Sequence, residues 1–101
     1  MKVEVPGTLD EILETAFEVN ATMVSLEYDS SGALEVMYSS GSVGFGVAVT
    51  DRAAKERIVS ELLKRRQRGV IRAQRDGKDV VIKVTMRDHF GDWAYDLRFK
   101  T

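Results

Sequence analysis

The chain reads as an α+β domain, and three observations say so. Six short stretches alternate apolar and polar residues with period two. Two other stretches repeat their apolar residues at helical spacing, one ahead of each group of three strands. Gly, Ser and Asp separate neighbouring stretches, so each reversal is tight and antiparallel pairing is the default. The predicted order is α-β-β-β-α-β-β-β. Such a set fits one mostly antiparallel sheet with two helices packed on one face.

The elements follow in order. Residues 1–7 read as an N-terminal extension, cut off by Pro6-Gly7, and residues 8–101 as a single domain. Thr8-Leu9-Asp10-Glu11 matches a capping box that opens the first helix. Leu9, Ile12, Leu13, Ala16 and Phe17 form its apolar stripe, Asp10, Glu11, Glu14 and Glu18 its wet side, and it ends near Asn20. The first strand spans Ala21 to Asp29, with Val24, Leu26 and Tyr28 on one face. Ser30-Ser31-Gly32 turns the chain, and Ala33 to Tyr38 returns. After a turn at Ser39–Ser42, the strand Val43 to Thr50 has Val43, Phe45, Val47 and Val49 on one face and Gly44, Gly46 and Ala48 on the other. A face that small predicts close approach by a helix, another strand or a ligand.

Asp51 is placed to cap the second helix, along which Ala54, Ile58 and Leu62 recur, with Glu61 and Arg65 spaced to pair one turn apart. Gly69 reads as its C-cap. Val70 to Gln74 is the fourth strand and Arg75-Asp76-Gly77 a turn. The run Gly77 to Phe99 then forms the ribbon that organises the rest. Val80, Ile82, Val84 and Met86 share one face, as do Trp93, Tyr95, Leu97 and Phe99, and Asp88–Gly91 supplies the reversal.

Composition bounds the function. A chain of 101 residues buries one core without staples. Net charge is −1, so no global field draws it toward nucleic acid or acidic lipid. With no cysteine there is no disulfide, thiol nucleophile or thiolate metal site. The apolar runs are far short of a membrane span. The acidic N-terminus lacks the apolar core of a signal peptide, so a cytoplasmic location and no membrane insertion are expected.

Few residues suggest chemistry. The cluster Lys64-Arg65-Arg66-Arg68 sits where a helix C-terminus favours cations, and without interleaved aromatics it does not read as a nucleic-acid patch. His89, the single histidine, reads as an exposed loop residue without metal-ligand spacing around it. Glu11, Glu14 and Glu18 solvate a helix face. The glycines of Gly41–Gly46 alternate inside a strand and open no helix, so they are no phosphate loop. No nucleophile elbow or histidine-based triad can be assembled. The chain is expected to be no enzyme by itself, with no catalytic residue, no metal and no cofactor of its own.

Lys83 and Arg98 stand apart. Both fall on the polar faces of their strands, and a reversal centred near Phe90-Gly91 places them opposite or nearly opposite each other. Like charges at such positions repel. An anion or a partner's carboxylates between them would account for the pair, but on physical grounds alone the favoured reading is two ordinary solvated cations screened by Asp96 or Asp79.

Ile12-Leu13-Glu14-Thr15-Ala16, then Ala21-Thr22-Met23-Val24-Ser25-Leu26-Glu27, then Gly77-Lys78-Asp79-Val80-Val81-Ile82-Lys83-Val84-Thr85 resemble successive motifs of one family. That family is the N-terminal PAS-like domain of type II secretion and type IV pilus assembly ATPases. Its motifs there read like I-L-x-x-A, A-S-D-I-H-L-E and G-R-x-V-D-L-R-V-S. The resemblance runs from Thr8 onward. It implies a PAS-like fold, a non-catalytic role in assembly or regulation, and contact with an ATPase motor domain that would begin after Thr101. Secretion or pilus assembly proteins are the other implied partners, and self-association stays open. In the family, arginines of this domain face nucleotide held by the motor, and two of those positions match Lys83 and Arg98. ATP contact would thus arise only in a larger assembly. The sequence departs from the pattern at Met23, Ser25, Val36, Tyr38, Ser40 and Val70, and at Lys83 it keeps the charge but not the guanidinium fork. The other reading is a stand-alone protein-interaction or small-ligand module that keeps the fold without nucleotide contact.

Overall fold

The computed structural model describes residues 4–89 and 91–99, His89 by its backbone alone. Two helices and six strands follow one another: α1 (Leu9–Glu18), β1 (Met23–Tyr28), β2 (Leu34–Ser40), β3 (Val43–Val49), α2 (Arg52–Arg65), β4 (Val70–Arg75), β5 (Lys78–His89) and β6 (Asp92–Phe99). This is the expected α+β architecture. All six strands join one antiparallel sheet in the order β3-β2-β1-β6-β5-β4. Each half of the chain is a three-stranded meander. The β1–β6 ladder, with Val24 opposite Leu97 and Leu26 opposite Tyr95, joins the two halves.

One face of the sheet carries both helices. Val24, Leu26, Leu34, Val36, Val49, Ile71, Ile82, Val84 and Leu97 from the strands are buried there against Leu9, Ile12, Leu13 and Ala16 of α1 and Ala54, Ile58 and Leu62 of α2. The alternation predicted for the strands holds because one register serves every ladder: Ile71 faces Ile82, Val84 faces Leu97 and Leu26 faces Val36. Trp93 shares the inward parity but is exposed.

The caps form locally. The Thr8 hydroxyl accepts from the Glu11 amide at 3.2 Å and donates to its carboxylate at 3.3 Å. Asp51 accepts from the Ala54 amide at 2.9 Å. Each such cap contributes about 1 kcal/mol.

Long-range contacts correct two details. Glu61 does not pair with Arg65. It accepts from the Leu9 amide at 3.2 Å, while Arg65 donates to Asp10 at 2.6 Å and Arg57 to the Gly7 carbonyl at 2.9 Å. The polar side of α2 therefore holds the start of α1, satisfying an amide that the helix itself leaves free. Nor does Gly69 cap α2, which ends at Arg65 with extended backbone at Arg66. Gly69 is the second residue of a two-residue turn, with Arg68 at φ 54° and Gly69 at φ 78°, closed by hydrogen bonds between Gln67 and Val70. Two left-handed residues match the twist of the chain entering β4.

At the other end of α1 no basic residue lies in the last turn. Arg75, the last residue of β4, takes that place: its guanidinium donates to the Phe17 carbonyl at 3.0 Å and to Asn20 Oδ1 at 2.7 Å, and lies 5.4 Å from the centre of the Phe17 ring.

The β5 strand also runs further than expected, through Asp88 and His89, which pairs with Asp92. The expectation of an exposed histidine at 89 concerns a side chain outside the described residues. The small face of β3 has a plain tenant. Gly46 faces Met37, and a Cβ there would sit 3.0 Å from the Met37 methyl, so the close neighbours are that side chain and the β2 backbone.

Candidate functional site

Among the described residues, no helix covers the second face of the sheet. Its side chains come from the alternate parity: Met23, Ser25 and Glu27 on β1, Val70 and Arg72 on β4, Lys83, Thr85 and Arg87 on β5, and Ala94, Asp96 and Arg98 on β6. Lys83 and Arg98 are direct cross-strand partners, and both are exposed. Their ladder row continues to Met23 on one side and Val70 on the other, so no carboxylate stands directly opposite either cation. Directly opposite residues have Cβ atoms about 5 Å apart, near enough for both cations to reach one phosphate.

The two screening carboxylates anticipated from the sequence are otherwise engaged. Asp79 accepts from Gln74 at 3.3 Å. Asp96 is buried, at 8% exposure, on the face expected to be wet. It accepts two bonds from Arg87, 2.9 Å from Nε and 3.2 Å from Nη2, and one from Ser25 at 3.1 Å. The fork from Arg87 is what chiefly holds the Asp96 carboxyl below the usual carboxylate range. Burial works against it, while Ser25 and then Arg98 support it. Arg87 also binds Glu27 of β1. Because β6 lies between β5 and β1, that ion pair passes over β6, and the β6 residue opposite Arg87 is the fully buried Ala94. This network was not apparent in the sequence; the only trace was an Ala and an Asp on the polar side of a strand that otherwise alternates.

The sequence positions that depart from the secretion-ATPase pattern divide between the two faces. Met23 and Ser25 lie on the open face, whereas Val36 and Tyr38 are buried under the helices. The Tyr38 ring stacks on Phe45 at 5.1 Å between centres. Burial pushes its phenol up to about 12, with Thr15 offsetting part of the effect, yet its hydroxyl has no hydrogen-bond partner of ordinary geometry.

Other chemistry finds little support in the arrangement. Among the described residues no group of three His, Asp or Glu side chains converges as metal ligands, and no helix is long and apolar enough to cross a membrane. The basic cluster at the end of α2 divides: Arg65 and Arg68 line a cleft of about 490 Å³ with Gln67, Val70 and Arg72, and Lys64 and Arg66 do not. No family model matches the chain, and no curated protein matches it either.

Proposed function

We propose that this chain is a non-catalytic assembly or regulatory domain of the kind that precedes the motor in secretion and pilus ATPases. It acts in the cytoplasm, docks through its open face on an ATPase motor domain, and presents Lys83 and Arg98 to the phosphates of nucleotide bound there. One observation carries the reading: two exposed cations stand side by side on an uncovered sheet face with no carboxylate opposite either of them. Their mutual repulsion would be relieved when an anion enters between them. The sequence resemblance supplies the identity of that anion.

The test is turnover in a reconstituted assembly. Lys83→Ala with Arg98→Ala should leave the isolated domain folded, since neither side chain contributes to the core, and should lower partner-stimulated ATP hydrolysis severalfold. Unchanged turnover removes the pair from the site.

A second reading, a stand-alone interaction or small-ligand module, draws on Val36 and Tyr38. Where the family carries arginines, these two fill the core. Amide NMR during a nucleotide titration separates the readings. Localised shifts at Lys83 and Arg98 favour the first, and silence there favours the second.

A further inference from the structure

The cleft between the end of α2 and β4 brings together three arginines that are distant in role along the sequence: Arg65 from the last turn of α2, Arg68 from the following turn and Arg72 from β4. Its volume of about 490 Å³ lies within the range of small-molecule sites. Gln67 and Val70 complete the lining, and among the described residues no carboxylate is part of it.

The three arginines differ in state. Arg65 is half-buried and fixed, held by Asp10 at 2.6 Å and reaching the Arg72 carbonyl at 3.4 Å. That carbonyl belongs to an edge strand, so Arg65 braces the cleft wall. Arg68 and Arg72 are exposed and make no side-chain hydrogen bond or ion pair among the described residues. Two exposed arginines whose side-chain donors are unused among the described residues therefore line one concave site.

The backbone of Arg68 adds an independent sign. It sits at φ 54° as the first residue of a two-residue turn. Gly, Asn or Asp adopts that conformation most cheaply. The chain follows that preference elsewhere: the other non-glycine residues at positive φ among the described residues are Asn20 and Asp76. Only at the lip of the cleft does an arginine occupy such a position. Strained backbone of this kind is found where a side chain is needed for something other than the turn.

We propose that this cleft binds the phosphate groups of a small molecule, with Arg68 and Arg72 as the direct ligands and Arg65 as the brace. Arg forks match phosphate oxygens in pairs, which a lysine at these positions would not. The site is separate from the Lys83–Arg98 pair, although Val70 of its lining stands opposite Lys83. It needs no motor domain.

Inorganic triphosphate is the probe, titrated into the full chain and followed by amide NMR and calorimetry. Shifts are expected at Gln67–Arg72, with affinity falling as salt rises. Arg68→Asn is the informative variant, because Asn suits the turn better than Arg does. It should keep or raise the thermal midpoint while weakening triphosphate binding at least about fivefold, and adding Arg72→Gln should weaken it about tenfold again. ATP in place of triphosphate tells the source. Equal affinity assigns the site to the phosphate chain, and tighter binding with added shifts at Val70 assigns it to a nucleotide; both uphold the site. Unchanged affinity in Arg68→Asn, or shifts confined to Lys83 and Arg98, would overturn the proposal, and the latter result would leave the motor-docking reading standing.

Discussion

Lys83 and Arg98 face each other directly across the β5–β6 ladder, on the side of the sheet that carries no helix. Met23 and Val70 flank them in the same row, so nothing directly opposite neutralises the repulsion, and Asp96, held chiefly by Arg87, attracts Arg98 only as a minor partner. Within the isolated domain the pair is a local cost. Cross-strand charge pairs are worth a few tenths of a kcal/mol to about 1 kcal/mol in either direction. Lys83→Glu should therefore raise stability by about 0.5 kcal/mol in urea unfolding, with the slope unchanged. A loss of stability in that variant would mean that the two cations do not oppose each other in solution.

Asp96 makes acid the condition under which the open face comes apart. Its carboxyl is held below the usual range chiefly by Arg87, with Ser25 adding to the effect against the cost of burial. The ionised form is thus favoured in the folded state. Its contribution is fully present above pH about 4 and is lost as pH falls through the lowered folded value. Asp96→Asn should be less stable than the parent at pH 7 by roughly 2 kcal/mol, since it leaves a guanidinium short of its partner. The difference should shrink as pH drops below 4. Thermal midpoints measured from pH 7 to pH 2 decide this, and parallel curves for the two proteins would exclude Asp96 as the titrating group.

Much of the fold was legible because its signals are local. The capping residues Thr8 and Asp51 lie within three residues of the amides they bind. The inward positions of all six strands follow from parity alone, as at Ile82, Val84 and Leu97. Even the opposition of Lys83 and Arg98 required only a correct guess of one turn. What escaped depends on strands and helices that meet only in the folded chain. Glu61 has a plausible partner four residues away in Arg65, yet binds the Leu9 amide 52 residues distant. The basic cluster at the end of α2 is explained locally by the helix dipole, and nothing in that stretch reveals that Arg72 joins it. The polar face of β6 was expected to be wet because Asp96 alternates with apolar residues; burial there comes from Arg87 and Ser25 on the neighbouring strands.

Tyr38 is a case in which removing a polar atom should help. Its ring is buried and stacked, but its hydroxyl has no partner of ordinary hydrogen-bond geometry among the described residues. An unsatisfied buried hydroxyl costs about 1 kcal/mol or more. Tyr38→Phe keeps the ring and should be neutral or up to about 1 kcal/mol more stable by chemical denaturation at pH 7. It should also remove a pH effect. The folded phenol titrates near 12 instead of 10, so its neutral form stabilises the fold below pH 10, and that contribution declines as pH rises toward 12. The alkaline limb of the parent should be steeper than that of the variant, and identical limbs would place the effect on another tyrosine.

Ala94 explains how an ion pair can span three strands. Arg87 on β5 reaches Glu27 on β1 only by crossing β6, and at the crossing the chain has a methyl group that is fully buried. A larger side chain there would meet the guanidinium stem. Ala94→Leu should cost about 1–3 kcal/mol through overpacking alone, which by itself would not identify the cause. The coupling between Arg87 and Glu27 does. Measured by a double-mutant cycle with Arg87→Met and Glu27→Gln, it should be about 1 kcal/mol in the parent, because both side chains remain one-third exposed. In the Ala94→Leu background the same cycle should give close to zero, whereas the bonds from Arg87 to Asp96, which do not need to cross β6, should persist and keep the acid limb of stability intact. An undiminished coupling in that background would show that the small residue at 94 is not what lets the arginine pass.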